Sequence, residues 1–352
     1  MPIFYGLIAF WFGAIIGSFL NVVVWRIPRG ESLSTPPSHC PKCGHLIRPW
    51  ENIPIISWLC LGGRCSSCHL PISWKYPVGE AAVGILYLAI AWRVLATGMP
   101  FDTLAGWFWL AGAMLSAARI DAEHRIVPDK ITYSGMAAAL VFAVLLPHGR
   151  PAIANPADLN CGSLITGRLV AAIQKAIPTS AGVRLAAAAD CLAAIALAFL
   201  LLGVAYWAGC VVLNARRRRN AQHSDGAKDN GEAASPEREP MGWGDIKLLM
   251  MTSAFLGADS CIFILAGGAM LGVCYGIAAC IIRNGMRQGA AAREASRRKT
   301  RNFSMPSTTE EEPRRSIALG ALPFAPFLAV PTLLWMIAGN WLYLLYRIFA
   351  AG

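Results

Sequence analysis

Apolar positions along the chain gather into long runs separated by short polar segments. Pro2 to Trp25 and Ser260 to Ile282 contain no charged residue, and a bilayer-spanning helix needs roughly 20 apolar residues. Further runs predict helices at about 78 to 97, 102 to 121, 129 to 147, 185 to 213 and 317 to 348. Pro323, Pro326 and Pro331 should bend the last of these or delay its start. Between Ile246 and Leu256 the run is only 11 residues, Lys247 included, before the "GADS" break, which makes it the weakest span. The pattern predicts an all-α, polytopic membrane protein of about eight transmembrane helices, because a bilayer requires every backbone polar group to be satisfied internally.

Composition agrees with this reading: 56% of residues are hydrophobic and only 14% charged, against about 25% charged in a typical soluble domain. The first run lacks a basic leader and a small-residue cleavage site, so it reads as a retained helix rather than a signal peptide. The formal net charge of +11 invites a nucleic-acid partner, but its distribution points elsewhere. Basic residues concentrate in Arg26 to Lys75, Arg216 to Arg238 and Arg283 to Arg315, and positive charge in such loops marks the cytoplasmic side. No nucleic-acid partner is expected. With these segments inside, the N-terminus lies in the periplasm.

Parity puts residues 148 to 184 outside, where "GSLITGRLVAAIQKAI" fits a short amphipathic helix at the membrane surface. An ordinary connecting loop fits the same stretch. Residues 215 to 240 and 284 to 315 are charged and rich in small residues, and read as flexible linkers. The division expected is a first transmembrane helix at 1 to 25, a cytoplasmic loop at 26 to 77 and a membrane-embedded region from 78 to 352.

The cytoplasmic loop holds Cys40, Cys43, Cys65 and Cys68 as CxxC, 21 residues, CxxC. Two such knuckles can converge four thiolates on one zinc ion, and a closed four-thiolate site is structural because no ligand position is left open. A reducing cytoplasm disfavours the alternative of disulfides. Gly44, after the second Cys, lets the chain turn so that its amides face the sulfurs. Cys60 breaks the spacing and reads as a small buried residue.

Two acids are expected at one membrane face. Asp121 ends the third helix in "LSAARIDAEHRIVPDKIT", and Asp245 opens the sixth in "PMGWGDIKLL". Ionisable groups at membrane depth are costly and usually functional. Two close carboxylates cannot both ionise easily and so supply the acid and base of an aspartic protease. A helix cap at Asp245 and a solvated helix end at Asp121 fit the same residues.

Several ordered motifs carry a family resemblance: "GSFLNVVVWRIPRG" at 17 to 30, the cysteine tetrad, "YPVGE" at 76 to 80, "IDAEHRIVPDKIT" at 120 to 132, "GWGDIKL" at 242 to 248 and "LPFAPFLA" at 322 to 329. Together they resemble bacterial type IV prepilin peptidases, bifunctional leader peptidases and N-methyltransferases of the GxGD aspartic class. The resemblance implies Asp121 and Asp245 as the catalytic acids, S-adenosylmethionine as methyl donor, and prepilins or type II secretion pseudopilins as substrates. It also implies cleavage at the cytoplasmic face of the inner membrane. Gly242, Trp243, Gly244, Lys247 and Glu80 are candidates for the substrate site, with Asn21 and the segment Gly17 to Arg29 as contributors to the methyltransferase half. The glycines of "GWGD" would leave backbone open for an extended substrate.

The chain departs from the family pattern at Trp243, where a small residue or Met is usual, at Ala325, where "PFGP" carries Gly, and at Glu123 in place of Asp. No glycine-rich strand-turn-helix for a nucleotide-like cofactor is present in the sequence. Two other readings compete. An ion-coupled transporter would place carboxylates near mid-membrane on repeated, discontinuous helices, and a zinc-knuckle membrane scaffold would bind pilins without cleaving them.

Overall fold

The computed structural model describes residues 2–150, 166–224, 242–301 and 324–350. Within them the fold is all-helical: α1 (Pro2–Arg26), α2 (Ile56–Cys60), α3 (Lys75–Thr97), α4 (Asp102–His124), α5 (Asp129–Leu145), α6 (Gly167–Ala176), α7 (Ser180–Ser224), α8 (Trp243–Leu256), α9 (Ala258–Arg301) and α10 (Ala325–Ala350). Short 3-10 turns cover Ile27–Arg29, Pro49–Asn52 and Pro147–Gly149. Among the described residues, four helical stretches are long and apolar enough to cross a membrane: Ile3–Arg29, Lys75–Thr97, Ser180–Ala215 and Ala258–Ile282.

Small residues bring the first two of these together. A Cβ at Gly13 would lie 2.9 Å from Gly84 Cα, and one at Gly17 would lie 2.8 Å from Glu80 Cα. Two helices that meet backbone to backbone in this way gain their contact from close van der Waals packing, since lipid supplies no hydrophobic drive. α4 lies beside them, with Tyr87 stacked on Phe108 at 4.1 Å between ring centres. The Tyr87 hydroxyl also donates to the Phe108 carbonyl at 2.7 Å. α4 thereby turns Leu110, Met114 and Ile120 into a core shared with Leu248, Leu249, Met251 and Leu256 of α8, all fully buried.

The helix α8 is 14 residues long, about 21 Å at 1.5 Å per residue and thus shorter than the roughly 30 Å hydrocarbon core. Its sequence looked like a weak span for the same reason. The structure supplies the compensation: nearly every side chain from Ile246 to Leu256 is enclosed by neighbouring helices, so its ends need not reach the lipid headgroups. Gly257, at φ +90°, ends it and lets α9 start at once.

At the far end of α8, Arg150 ties three elements. Its Nη1 donates to the Ala254 carbonyl at 2.7 Å, and its Nε and Nη2 donate to Asp190 Oδ2 of α7 at 2.9 and 2.5 Å. Thr166 donates to Asp190 Oδ1. A buried ion pair of this kind is tolerated because both charges have further hydrogen bonds.

Several expectations shift. The stretch Gly167–Ala176 forms the helix α6, one of the two readings its sequence allowed, and Val170 on that helix is buried. α7 continues to Ser224 and α9 to Arg301, both into segments expected to be linkers. The predicted start of the last helix at 317 lies outside the described residues, and α10 is seen from Ala325.

Candidate active site

The α4–α5 turn carries the first acid. Asp121 sits one turn before the end of α4, and Arg125, in the left-handed region at φ +57°, closes the helix by donating its N–H to the Asp121 carbonyl at 2.8 Å. The chain then passes through Val127 and Pro128 into α5. The start of α8 meets this turn directly, because a Cβ at Gly244 would lie 2.8 Å from Val127 Cβ.

Gly242 precedes α8 in extended conformation, φ −67° and ψ 128°, which any residue can adopt. Its lack of a side chain matters for space: a Cβ there would lie 3.1 Å from Asp245 Oδ2. The two glycines of "GWGD" are therefore close-approach positions, one beneath the Asp245 carboxylate and one against the α4–α5 turn. They are not the open, loosened backbone that the sequence suggested.

Asp121 and Asp245 thus lie on two segments that meet at Val127 and Gly244, and the charge of one acts on the other. Asp121 is buried and Asp245 partly so. Asp121 Oδ2 accepts a 2.8 Å hydrogen bond from the backbone N–H of Ala325, the first residue of α10. That contact explains why alanine can stand where the family pattern has glycine: the chain contributes its backbone, and the methyl is enclosed without exposure. Nothing in the sequence pointed to this contact, since a backbone donor carries no residue signature.

The other expected substrate-site residues have definite partners. Trp243 packs edge-on to Phe199 at 6.3 Å and Tyr206 at 5.6 Å, both on α7. Lys247 points away from Asp245 and pairs with Asp129 Oδ1 at 2.7 Å, its Nζ also 5.0 Å from the Tyr133 ring centre. Glu80 accepts the Ile55 N–H at 2.8 Å, pinning the cysteine loop to α3. Ile55 has an unfavourable φ of +62°, held in place at that junction. Asn21 accepts from Arg119 Nη1 at 2.7 Å, which links α1 to the helix that carries Asp121.

The cysteine loop contains two matching knuckles. Cys40 N–H donates to the His45 carbonyl and Gly44 N–H to the Cys40 carbonyl, while Cys65 N–H donates to Leu70 and His69 N–H to Cys65. Gly44 at φ +72° and His69 at φ +56° occupy equivalent left-handed positions. The four Sγ atoms lie within 4.8 Å of one another, Cys40 to Cys68 at 3.9 Å and Cys43 to Cys65 at 4.0 Å.

Tetrahedral zinc with Zn–S bonds of about 2.3 Å separates its sulfurs by about 3.8 Å, so the cluster fits a metal ion of that kind. The backbone amides of Cys43 and Lys42 facing Cys40 draw its thiol down to about 6. Although the Leu70 amide favours the Cys68 thiolate, burial and the three neighbouring sulfurs push that thiol up to about 11. Between the knuckles, His45 Nε2 lies 3.3 Å from Glu51 Oε2 and 3.2 Å from Ser66 Oγ.

Two family models match the chain in order: the bacterial peptidase A24 N-terminal domain over residues 11–94, which contains the cysteine loop, and the type IV leader peptidase family over residues 108–277, which contains both acids. Curated relatives are called prepilin leader peptidase/N-methyltransferase. That of Myxococcus xanthus is 40% identical over 37% of this chain and 38% of its own length. That of Pseudomonas aeruginosa is 37% identical over 36% of this chain and 51% of its own. The relative from Aeromonas hydrophila is 28% identical over 81% of this chain and 84% of its own. The chain thus spans about half or less of the first two relatives at the higher identity. No solved structure matches it. The two family models follow one another over most of the chain, one on the four-cysteine loop and one on the two acids, and the chain belongs to the type IV leader peptidase family.

Proposed function

We propose that the protein is a membrane aspartic endopeptidase of the inner membrane. It removes the leader of type IV prepilins or type II secretion pseudopilins at the cytoplasmic face and N-methylates the new N-terminus. The observation that carries this reading is the pairing of Asp121 and Asp245 on the facing ends of α4 and α8, together with the relatives' shared name. Two carboxylates that repel share a proton. The ionised member draws a proton from water, the water attacks the scissile carbonyl, and the protonated member donates to the developing oxyanion. The intermediate collapses as the amine leaves with a proton, and no bond to the enzyme forms.

Eight membrane crossings, with α8 sheltered among the others, put the basic loops inside and both acids at the cytoplasmic end. The loop of residues 26 to 77 forms a separate cytoplasmic unit in which Cys40, Cys43, Cys65 and Cys68 hold zinc as a structural clasp, outside the hydrolytic steps. For methylation, a cavity of about 590 Å³ between α1 and this loop, edged by Ser18, Ser34, Asn52 and Arg26, has room and polar groups for a molecule such as S-adenosylmethionine. That cofactor, when bound, supplies the methyl group. The chain's part is to hold it beside the new α-amine.

The test uses membranes containing this protein and a prepilin. Asp121→Asn and Asp245→Asn should each abolish leader removal while the protein stays inserted, whereas full cleavage by either variant rejects the pair as catalytic.

A further inference from the structure

The peptidase reading treats the two acids as equivalent, but the structure does not. We infer that the backbone N–H of residue 325, at the N-terminus of α10, fixes their division of labour: it holds Asp121 as the ionised member that activates water and leaves the shared proton on Asp245. The inference rests on the peptidase reading for its chemistry, but its structural content stands independently.

Three observations support it. Asp121 Oδ2 accepts the Ala325 N–H at 2.8 Å. This donor belongs to the first turn of a 26-residue helix, whose N-terminal amides lack partners within the helix and favour a negative charge. A hydrogen bond from a backbone amide is worth more to a carboxylate than to a carboxylic acid. Third, Arg125, at the end of Asp121's own helix, adds an attractive charge. Asp245 also lies in the first turn of a helix, α8, but among the described residues it accepts no backbone N–H from another helix as Asp121 does. The charged group that acts on it is Asp121, which repels its ionised form, and Gly242 leaves its carboxylate lying over the start of α8 with no side chain between them. Lys247, two residues on, is committed to Asp129.

Ala325 is thus a positioning residue acting through its backbone, and "LPFAP" supplies part of the acid pair. The proton balance of hydrolysis follows. Asp121 takes a proton from water as the C–O bond forms and Asp245 gives its proton to the oxyanion; as the C–N bond breaks, Asp121 passes the first proton to the leaving amine and a hydroxyl of the gem-diol returns a proton to Asp245 as the carbonyl re-forms.

Proline at 325 removes this N–H, and proline is well tolerated in the first turn of a helix. In purified full-length protein acting on a prepilin, Ala325→Pro should lower kcat by roughly ten- to hundredfold, the loss expected for one hydrogen bond to a charged group. KM should stay within about twofold. Ala325→Gly keeps the donor and should restore the turnover that proline removes. Cleavage by Ala325→Pro at the wild-type rate would overturn the inference.

An activity-free measurement covers a proline variant that fails to insert. In infrared difference spectra at neutral pH, Asp121→Asn should delete a carboxylate stretch and Asp245→Asn a protonated carbonyl stretch. The opposite assignment overturns the division of roles. A wild-type protein that cleaves no prepilin defeats the peptidase reading instead, and these spectra still decide where the proton sits.

Discussion

Lys247 Nζ lies 2.7 Å from Asp129 Oδ1, so the helix that carries the second acid is tied to the first turn of the helix that follows the first acid. The Tyr133 ring, 5.0 Å from the same ammonium, adds a cation–π contact. Lys247 is largely enclosed, but Asp129 is 61% exposed, so solvent screens the pair and its worth is about 0.5–1 kcal/mol. Lys247→Met should lower thermal stability by a few degrees and reduce turnover without abolishing it. A double-mutant cycle with Asp129→Asn should show the two losses to be coupled. Strictly additive losses would mean that the pair does no positioning.

Gly244 makes a sharper claim. Its missing Cβ would meet the Cβ of Val127 at 2.8 Å, and that atom sits on the backbone stem, where rotamer changes cannot move it. Gly244→Ala should push the α4–α5 turn away from α8, separate the acids and cost at least tenfold in kcat. Val127→Ala leaves its own Cβ in place but removes the methyls beyond it, including Val127 Cγ2 at 3.3 Å. The double variant should therefore recover part of the loss and no more. Failure to recover any activity would imply that Gly244 serves the substrate rather than the packing.

Much of this was legible in the sequence, and the reasons divide by residue. Apolar run length gave α1, α3, α7 and α9 because lipid imposes length and hydropathy directly. Cysteine spacing gave the sulfur cluster because two tight turns fix ligand geometry locally. The roles of Gly242 and Gly244 were misread as backbone freedom, since a sequence shows a missing side chain but not the neighbour that fills its space. Lys247 looked available because its partner, Asp129, is 118 residues away. The Ala325 donor was invisible because every non-proline residue carries one. The helical extent of α7 and α9 exceeded expectation because their polar ends, rich in Ala and Arg, are good helix formers.

The paired knuckles predict an asymmetric response to substitution. Gly44 and His69 hold equivalent left-handed positions, but only histidine meets a steric cost there. His69→Gly should leave zinc stoichiometry unchanged and make the loop harder to strip with a chelator, by about 0.5–1 kcal/mol in the release equilibrium. Gly44→Val should do the opposite and release zinc readily. Equal behaviour of the two variants would show that backbone strain is not what limits the site.

Trp243 resolves into an aromatic brace. Its contacts with Phe199 and Tyr206 join the start of α8 to α7, and each such pair is worth about 0.5–1.5 kcal/mol. Trp243→Phe should keep most stability and activity, whereas Trp243→Gly, which also frees the backbone, should lower the melting temperature. If the indole instead narrowed the substrate path, Trp243→Gly would lower KM without affecting stability.

Glu51 gives the cysteine loop a pH dependence of defined sign. The Arg48 N–H, the Ser66 hydroxyl and His45 hold its carboxyl below the usual value near 4.5. A carboxylate depressed in the folded loop contributes stability that is present in full above its unfolded value and is lost as pH falls through the folded value. Its contact with His45, which in turn meets Ser66, links one knuckle to the other. Zinc release is itself faster in acid because thiolates protonate, so the informative quantity is the difference between wild type and Glu51→Gln. Wild type should release zinc more slowly than the variant at pH 6, and the gap should close as the pH is lowered past the usual carboxylate range. A gap that stays constant across that range would mean that the charge on Glu51 plays no part and that only its shape supports the loop.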